Sequence, residues 1–164
     1  MWSYDGAYFN ASRIKFQLPD FACDMYEGNL YDGVVVGMQA PLPHTLDRFV
    51  KALIAEKVDI IVTLGGSAEG ERRKMEPYWN GYKSSECTIE KVRELDAVVG
   101  VERHLRVTCH NLDGKLKRRA VIQLHYDDWL DHTTPDPKKF KALCRRRKNW
   151  HPHFCTPVPP DPES

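Results

Sequence analysis

Cysteine and histidine side chains cluster near the C-terminus. Cys144, His151, His153 and Cys155 form the pattern C-x-x-x-x-x-x-H-x-H-x-C. Thiolate sulfur and imidazole nitrogen are ligands that zinc prefers, but this spacing matches none of the common structural zinc sites. The pattern leaves two hypotheses open, a zinc site and a chance cluster. We favour the second and expect no bound metal and no other cofactor.

A run of basic residues overlaps this cluster. It contains Lys138, Lys139, Lys141, Arg145, Arg146, Arg147 and Lys148. Such a run usually forms the solvated face of a helix, and otherwise it binds a polyanion or acts as a localisation signal. We therefore predict a basic helix over Lys138–Lys148, with polyanion binding as an alternative function.

The composition is that of an ordinary globular domain. Of the 164 residues, 41% are hydrophobic and 29% are charged, and the net charge of +1 argues against nucleic acid or an anionic membrane as partner. No stretch approaches the roughly 18 apolar residues of a transmembrane helix, and Met1–Asp5 does not begin a signal peptide. The five cysteines are odd in number and widely spaced, which favours a reducing, cytoplasmic location.

The first half of the chain combines strands with one helix. Ala7–Ile14 and Gly33–Met38 are predicted strands, the second because of its β-branched run. Thr45–Glu56 is predicted as a helix that Thr45 can cap. Its apolar face consists of Leu46, Phe49, Val50, Leu53 and Ile54. Val58–Leu64 follows as an apolar, buried strand, and this order favours an α/β fold.

The second half has the pattern of an antiparallel meander. Cys87–Leu95, Val101–Asn111 and Leu116–Tyr126 alternate polar and apolar residues, and Asn111–Gly114 supplies an Asp-Gly hairpin turn. We expect residues 1–150 to form one domain. Residues 151–164 contain five prolines, so we expect a disordered tail.

Four phrases carry a resemblance to a known family. They are Phe9-Asn10-Ala11-Ser12, Gln39-Ala40-Pro41-Leu42-Pro43-His44-Thr45, Met75-Glu76-Pro77-Tyr78-Trp79 and His125-Tyr126-Asp127-Asp128-Trp129-Leu130-Asp131. In order and spacing they resemble the catalytic domain of the protein tyrosine phosphatases, over residues 7 to 148. The resemblance implies a mixed sheet with helices on both faces, which here forms an incomplete phosphatase fold. It also implies phosphotyrosine proteins or other signalling proteins as partners, and it leaves the oligomeric state open.

The resemblance also assigns roles to particular residues. Family members use a cysteine thiolate as nucleophile and a carboxylic acid that protonates the leaving group. Asp131 matches the acid, although Leu130 replaces the proline usual before it. Glu69 and Lys74 match a loop glutamate and a loop lysine, and together with Gln39 they form the predicted substrate-binding set. The alternative for Asp131 is a solvated turn residue, and for Glu69 and Lys74 a solvated charged loop.

The nucleophile of the family has no counterpart in the 164 residues. The family's cysteine lies in a glycine-rich loop, after the acid, with an arginine six positions later. Cys87 and Arg93 have this spacing, but the segment between them contains no glycine and precedes Asp131. Cys155 is followed by prolines, which lack the N–H groups of a phosphate cradle.

The sequence therefore favours a catalytically inactive pseudophosphatase or fragment that acts by binding. The alternatives are an active phosphatase that takes a missing segment from another chain, and the polyanion-binding protein described above. In the family, the nucleophile strand runs through the middle of the sheet. Without it we expect Val58–Leu64 and Val34–Met38 to expose backbone edges, and we expect the protein to depend on a partner that covers them.

Overall fold

The structure is a computed structural model that describes residues 3–4, 7–8, 10–15, 34–69, 72–97, 99–110, 114–129 and 133–149. The strands are β1 (Ser3–Tyr4), β2 (Ala7–Tyr8), β3 (Ala11–Lys15), β4 (Val34–Met38), β5 (Ile60–Leu64), β6 (Ala68–Glu69), β7 (Arg72–Arg73), β8 (Tyr82–Lys83), β9 (Cys87–Asp96), β10 (Val101–His110) and β11 (Leu116–Tyr126). The helices are α1 (Leu46–Ala55) and α2 (Pro137–Asn149), and 3-10 turns span Pro43–Thr45 and Tyr78–Asn80. Both predicted helices are confirmed, with ends shifted by one residue.

The main sheet has five strands in the order β5-β11-β10-β9-β8. β5 runs parallel to β11, and the other neighbours are antiparallel. The predicted meander is therefore confirmed, with His110 opposite Leu116 at the hairpin end of β10 and β11. Residues 111–113 of the hairpin turn lie outside the described part, and Gly114 has a φ of 71°. This mixed sheet with helices confirms the predicted α/β class.

The two helices contribute to separate apolar clusters. Leu46, Phe49, Val50 and Leu53 of α1 are buried with β9 and β10 residues such as Val107. Leu143 of α2 is buried in a second cluster with Val99, Leu124 and Tyr126. Leu124 and Val107 lie at positions of opposite parity in the β10–β11 register, and so on opposite faces of the sheet. The helices therefore cover both faces.

α2 begins at Pro137, one residue before the predicted start at Lys138. The Asp136 carboxylate accepts hydrogen bonds from the backbone N–H of Lys138 (2.7 Å) and Lys139 (3.1 Å), and Pro137 occupies the first turn. These bonds, the one from Lys139 first, lower the pKa of Asp136 below its usual range. None of the described helices is long and apolar enough to cross a membrane.

The N-terminal strands differ from the prediction. Ala7–Ile14 is not one strand, because Ala7–Tyr8 pairs with Ser3–Tyr4 whereas Ala11–Lys15 pairs with Val34–Met38. The β3–β4 pair is also a separate two-stranded sheet and not part of the main one. It still packs on the α1 cluster through Ala11, Val36 and Met38.

β5 is an edge strand, which agrees with the expectation that Val58–Leu64 exposes a backbone edge. The expected full burial of this strand was wrong, because only Thr63 in it is buried. Val62 is 43% exposed and Leu64 44% exposed. The N–H of Ile122 donates to Asp59 O (2.9 Å), and that of Gly65 donates to Tyr126 O (2.8 Å), so odd-numbered peptide groups of this segment face β11. Those of Ile60, Val62 and Leu64 point to the other edge, where no strand of the described residues pairs.

The predicted cap of α1 is also wrong. Thr45 makes no side-chain hydrogen bond to the first turn of the helix. Its hydroxyl instead accepts from the N–H of Leu42 (2.9 Å) and donates to the carbonyl of Leu42 (3.0 Å). The threonine therefore stabilises the Pro43–Thr45 turn that leads into the helix.

Gly100 provides a test of this fold. It has a φ of 66°, and a Cβ added to it would lie 1.9 Å from the carbonyl oxygen of His125. We expect Gly100→Ala to lower the free energy of unfolding by at least about 3 kcal/mol, because the end of β11 would have to move. Urea denaturation measures this change.

Gly114→Ala is the matched control. Gly114 has a similar φ of 71°, but nothing lies within 4 Å of an added Cβ. This variant therefore carries only the backbone cost, about 1 kcal/mol. Equal losses in the two variants would contradict the role given to the close approach at Gly100.

Candidate active-site cleft

Two loops begin side by side where the parallel strands β5 and β11 end. Gly65–Gly66 follows β5, and Asp127–Trp129 follows β11. A Cβ on Gly65 would lie 3.5 Å from the carbonyl oxygen of Trp129, and one on Gly66 would lie 3.9 Å from that of Asp127. The carboxyl ends of parallel strands are a common position for binding sites in α/β proteins.

The loop after β5 contains two of the predicted site residues. The N–H groups of Lys74 (3.0 Å) and Met75 (3.3 Å) both donate to the carbonyl of Ser67 and close the loop at its base. Within it, Glu69 pairs with Arg72 in the short β6–β7 hairpin. Lys74 is half-buried. The side chain of Glu69 lies outside the described part of the structure, so its predicted role stays a prediction.

A third segment joins this group through the backbone. The N–H of Glu76 donates to the carbonyl of Pro41 (3.0 Å), which connects the Lys74 loop to the Gln39–Pro43 turn. Gln39 is exposed, and its side-chain oxygen accepts from the amide of Asn10 (2.9 Å). The structure thus brings the segments of Gln39 and Lys74 together, and Gly65–Gly66 connects them to the start of the predicted acid loop.

Asp131 itself lies outside the described residues, as does Leu130. The structure does describe both ends of their loop. The indole N–H of Trp129 donates to the carbonyl of Thr133 (2.9 Å), and its ring packs edge-on against Phe140 of α2 at 6.0 Å. Asp128 forms an ion pair with Lys139 of the same helix. The residues before 130–132 are therefore anchored on α2, and the bond from Trp129 to Thr133 joins the two ends of the loop.

A buried arginine lies beneath the cleft. Arg103 of β10 is 8% exposed. Its Nε donates to Glu94 of β9 (2.6 Å), and its Nη1 donates to Gln123 (3.3 Å) and His125 (3.1 Å) of β11. Its guanidinium carbon also lies 5.0 Å from the centre of the Trp79 ring, within range of a cation–π contact.

Arg103 is not among the site residues that the sequence predicts. Arg103 occupies the same face of β10 as Leu105, Val107 and Cys109, all of them buried. An arginine in an apolar alternating stripe was the signal that could have identified it.

The contacts of His125 define its tautomer. Arginine is always a donor, so Nδ1 of His125 accepts the bond from Arg103. The proton then lies on Nε2, which donates to the carbonyl of Gly65 (3.0 Å). His125 therefore connects Arg103 to the first residue of the loop after β5, and its ring packs against Trp79 at 4.9 Å.

Gln123 and Tyr78 extend this buried network. The amide nitrogen of Gln123 donates to the hydroxyls of Thr63 and Tyr78, both at 3.0 Å. Burial raises the pKa of Tyr78 to about 12, so its hydroxyl stays protonated at neutral pH. The network thus joins β5, β10 and β11 to the Tyr78–Trp79 turn.

Glu94 completes the pairing of Arg103 at the protein surface. The bond from Arg103 first, and that from Lys91 (3.0 Å) second, lower the pKa of Glu94 below its usual range. Glu94 is 41% exposed, whereas the Arg103 side chain is only 10% exposed. The arginine therefore has an ionised partner whose own charge remains largely hydrated.

Cys87, the one cysteine with an arginine six positions later, lies elsewhere. It is the first residue of β9, it is 1% exposed, and it faces α1. Its thiol lies 3.8 Å from the carbonyl of Asp47, and burial raises its pKa above the usual range. Arg93 lies on an exposed part of the same strand. The two residues therefore form no phosphate cradle.

The described residues include no candidate metal site. No group of three or more His, Cys, Asp or Glu side chains among those residues could hold a metal ion. The proposed zinc pattern from Cys144 to Cys155 involves side chains outside the described part of the chain and stays a hypothesis.

Arg103→Ala should show the importance of the buried network. The change leaves Gln123 and His125 without a donor in a buried environment, and it removes packing against Trp79. We expect the free energy of unfolding to fall by about 3 kcal/mol. Chemical denaturation of the purified chain is the measurement.

Arg106→Ala is the control on the same strand. Arg106 is 53% exposed and pairs with Glu90 at 3.3 Å, so its removal should change the stability by no more than about 0.5 kcal/mol. If the two alanine variants had the same stability, the Arg103 network would not have the role described.

Comparison with known sequences and structures agrees with the resemblance. The family described as protein-tyrosine phosphatase matches residues 2–159. Receptor-type tyrosine-protein phosphatase S of Gallus gallus is 27% identical over 141 residues, which are 82% of this chain and 9% of that protein. Tyrosine-protein phosphatase 99A of Drosophila melanogaster is 32% identical over 124 residues, 69% of this chain and 10% of that protein.

Solved structures give the same result. The protein tyrosine phosphatase TbPTP1 of Trypanosoma brucei superposes with a TM-score of 0.68 at 26% identity, over 87% of this chain and 48% of its own. PTPN18 in complex with phosphorylated HER2 peptides gives 0.61 at 26% identity, over 70% and 43%. This chain thus spans about a tenth of the curated relatives and less than half of the solved ones. The chain belongs to the protein-tyrosine-phosphatase family.

Proposed function

We propose that this 164-residue chain by itself is a non-catalytic member of the family that acts by binding, as a pseudophosphatase or fragment. The observation that carries the proposal is the position of Cys87. A family nucleophile must be a thiolate exposed to the phosphate at the mouth of a cleft. Cys87 is buried under α1, and its raised pKa favours the thiol.

Phosphotyrosine proteins are the partners that we propose. The PTPN18 structures contain phosphorylated HER2 peptides, and they match 70% of this chain. The cleft of this chain contains the Lys74 loop, whose base is closed by two backbone hydrogen bonds to Ser67. A lysine at the closed base of such a loop is suited to attract a phosphate group.

The activity assay uses the purified chain with p-nitrophenyl phosphate and with a phosphotyrosine peptide. We expect no release of phosphate above the buffer rate, because an acid without a thiolate forms no phosphocysteine intermediate. An Asp131→Ala variant accompanies it. Turnover that disappears in this variant would overturn the proposal, and Cys87→Ser and Cys155→Ser would then locate the nucleophile.

Peptide binding is a separate prediction. Fluorescence anisotropy should detect binding of the phosphotyrosine peptide to the chain. The same peptide without the phosphate group should not bind. Lys74→Ala should weaken it about 3- to 10-fold, as expected for one partly exposed charged contact. Arg106→Ala, a change in exposed charge on β10, should have no effect. Equal binding of both peptides would contradict phosphotyrosine recognition.

The open edge of β5 suggests a second mode of binding. Ile60, Val62 and Leu64 direct backbone groups to this edge, where none of the described strands pairs with them. The strand contains neither a charged residue nor a proline that would block strand addition. Val62 and Leu64 also expose apolar side chains beside it. We propose that an extended segment of another polypeptide, apolar at alternate positions, pairs here.

In the absence of such a partner, the isolated chain should self-associate through this edge. We expect Val62→Lys to lower the associated fraction in light scattering at a given concentration, because an ammonium group at the edge opposes pairing. Val92→Lys is the control, since Val92 is 59% exposed on β9, away from the open edge. An equal effect of both substitutions would indicate general solubility instead of edge pairing.

A further inference from the structure

Two cysteines lie directly opposite each other in the main sheet. Cys87 of β9 is paired with Cys109 of β10 in the antiparallel register. Both side chains belong to the apolar face that α1 covers, and both are free thiols. They are distant in sequence from each other and take no part in the cleft described above.

The type of strand pairing brings these side chains close. The N–H of His110 donates to the carbonyl of Glu86 (3.0 Å). His110 and Glu86 are the next residues of the two strands beyond the cysteine pair. The pair itself is therefore a non-hydrogen-bonded pair, in which the Cα atoms are typically about 4.5 Å apart. Disulfides require Cα separations of about 4.4–6.8 Å, so the backbone need not move much.

The electrostatics agree with this proximity. The pKa of Cys87 is raised first by burial and second by Cys109, in agreement with the direct pairing of the two residues in the register. Lys51 of α1 lies beside them and pairs with Glu86 at 2.6 Å. The Glu86 bond is the main reason that the pKa of Lys51 is raised, and both thiols contribute to the same direction.

We propose that Cys87 and Cys109 form a reversible cross-strand disulfide with a low-molecular-weight disulfide such as oxidised glutathione as the oxidant. One protein thiolate attacks a glutathione sulfur and releases the first glutathione thiolate, leaving a mixed disulfide. The other protein thiolate then attacks the protein sulfur and releases the second. Two protein thiols are oxidised, one glutathione disulfide is reduced, and the two protons go to the released thiolates.

The position of the pair predicts how the reaction behaves. Cys87 is 1% and Cys109 4% exposed, so the oxidant reaches them when α1 and the Lys51–Glu86 pair open locally. The reaction should therefore be slow. Once formed, the bond should be resistant to reduction, because the native register holds both sulfurs in place.

The experiment uses the full chain with Cys23, Cys144 and Cys155 changed to serine, which leaves only the pair. The folded protein is equilibrated in a buffer dominated by oxidised glutathione, then denatured and alkylated, and its mass is measured. We expect a species two hydrogens lighter, without alkyl groups or glutathione. We also expect its unfolding midpoint to be roughly 5–10 °C above that of the reduced form.

The contribution of the native strand pairing is tested by measuring the same thiol–disulfide equilibrium on the protein in denaturant. We expect the disulfide to form at least about tenfold more readily in the folded protein, in line with the stabilisation it gives. Peptide mapping of the unsubstituted chain after the same treatment checks the result without any serine substitution. The equilibrium is also approached from the other side: the disulfide is formed in denaturant, and the oxidised protein is then refolded. Slow entry of glutathione into the folded protein therefore cannot be mistaken for the equilibrium result.

Three outcomes would overturn the proposal. The first is a pair that stays reduced when equilibrium is approached from both directions. The second is glutathione attached separately to each cysteine. The third is equal disulfide formation in the folded and denatured protein, which would show that the register contributes nothing.

Discussion

The guanidinium of Arg103 lies inside the protein, and the cleft is built around the groups that compensate its charge. A buried cation must be paired and hydrogen-bonded, because its desolvation costs several kcal/mol. Glu94, Gln123 and His125 supply these bonds from the two neighbouring strands, and the Trp79 ring covers the guanidinium plane. One side chain therefore fixes β9, β10, β11 and the Tyr78–Trp79 turn relative to each other.

The same network determines where the loops of the cleft begin. His125 accepts from Arg103 and donates to Gly65, so the end of β5 has a defined position relative to β10. Gly100 leaves room for the His125 carbonyl, and Gly65 and Gly66 approach the backbone at Asp127–Trp129 closely. The loops that follow β5 and β11 therefore have fixed starting points.

The positions of the described cysteine thiols follow from this framework. The framework places the two free cysteines of its described core away from the loops that follow β5 and β11. Cys87 and Cys109 are instead part of the packing between α1 and the sheet. The thiols of the described core thus contribute to the packing of the sheet and not to the loops at the ends of β5 and β11.

The sequence by itself determined the family, the α/β class, the β9–β11 meander and both helices. These features depend on local periodicity and on short phrases such as Gln39–Thr45 and His125–Trp129. Both can be recognised in the sequence without knowing the long-range contacts. The resemblance also predicted the open edge of β5, because the family strand that would cover it is missing from the sequence. Only the tertiary structure showed that β3–β4 forms a sheet of its own, since the pattern of a strand does not specify which strand it pairs with. It likewise decided the role of Arg103, because a charge on an apolar face is stable only when partners from distant parts of the chain meet it.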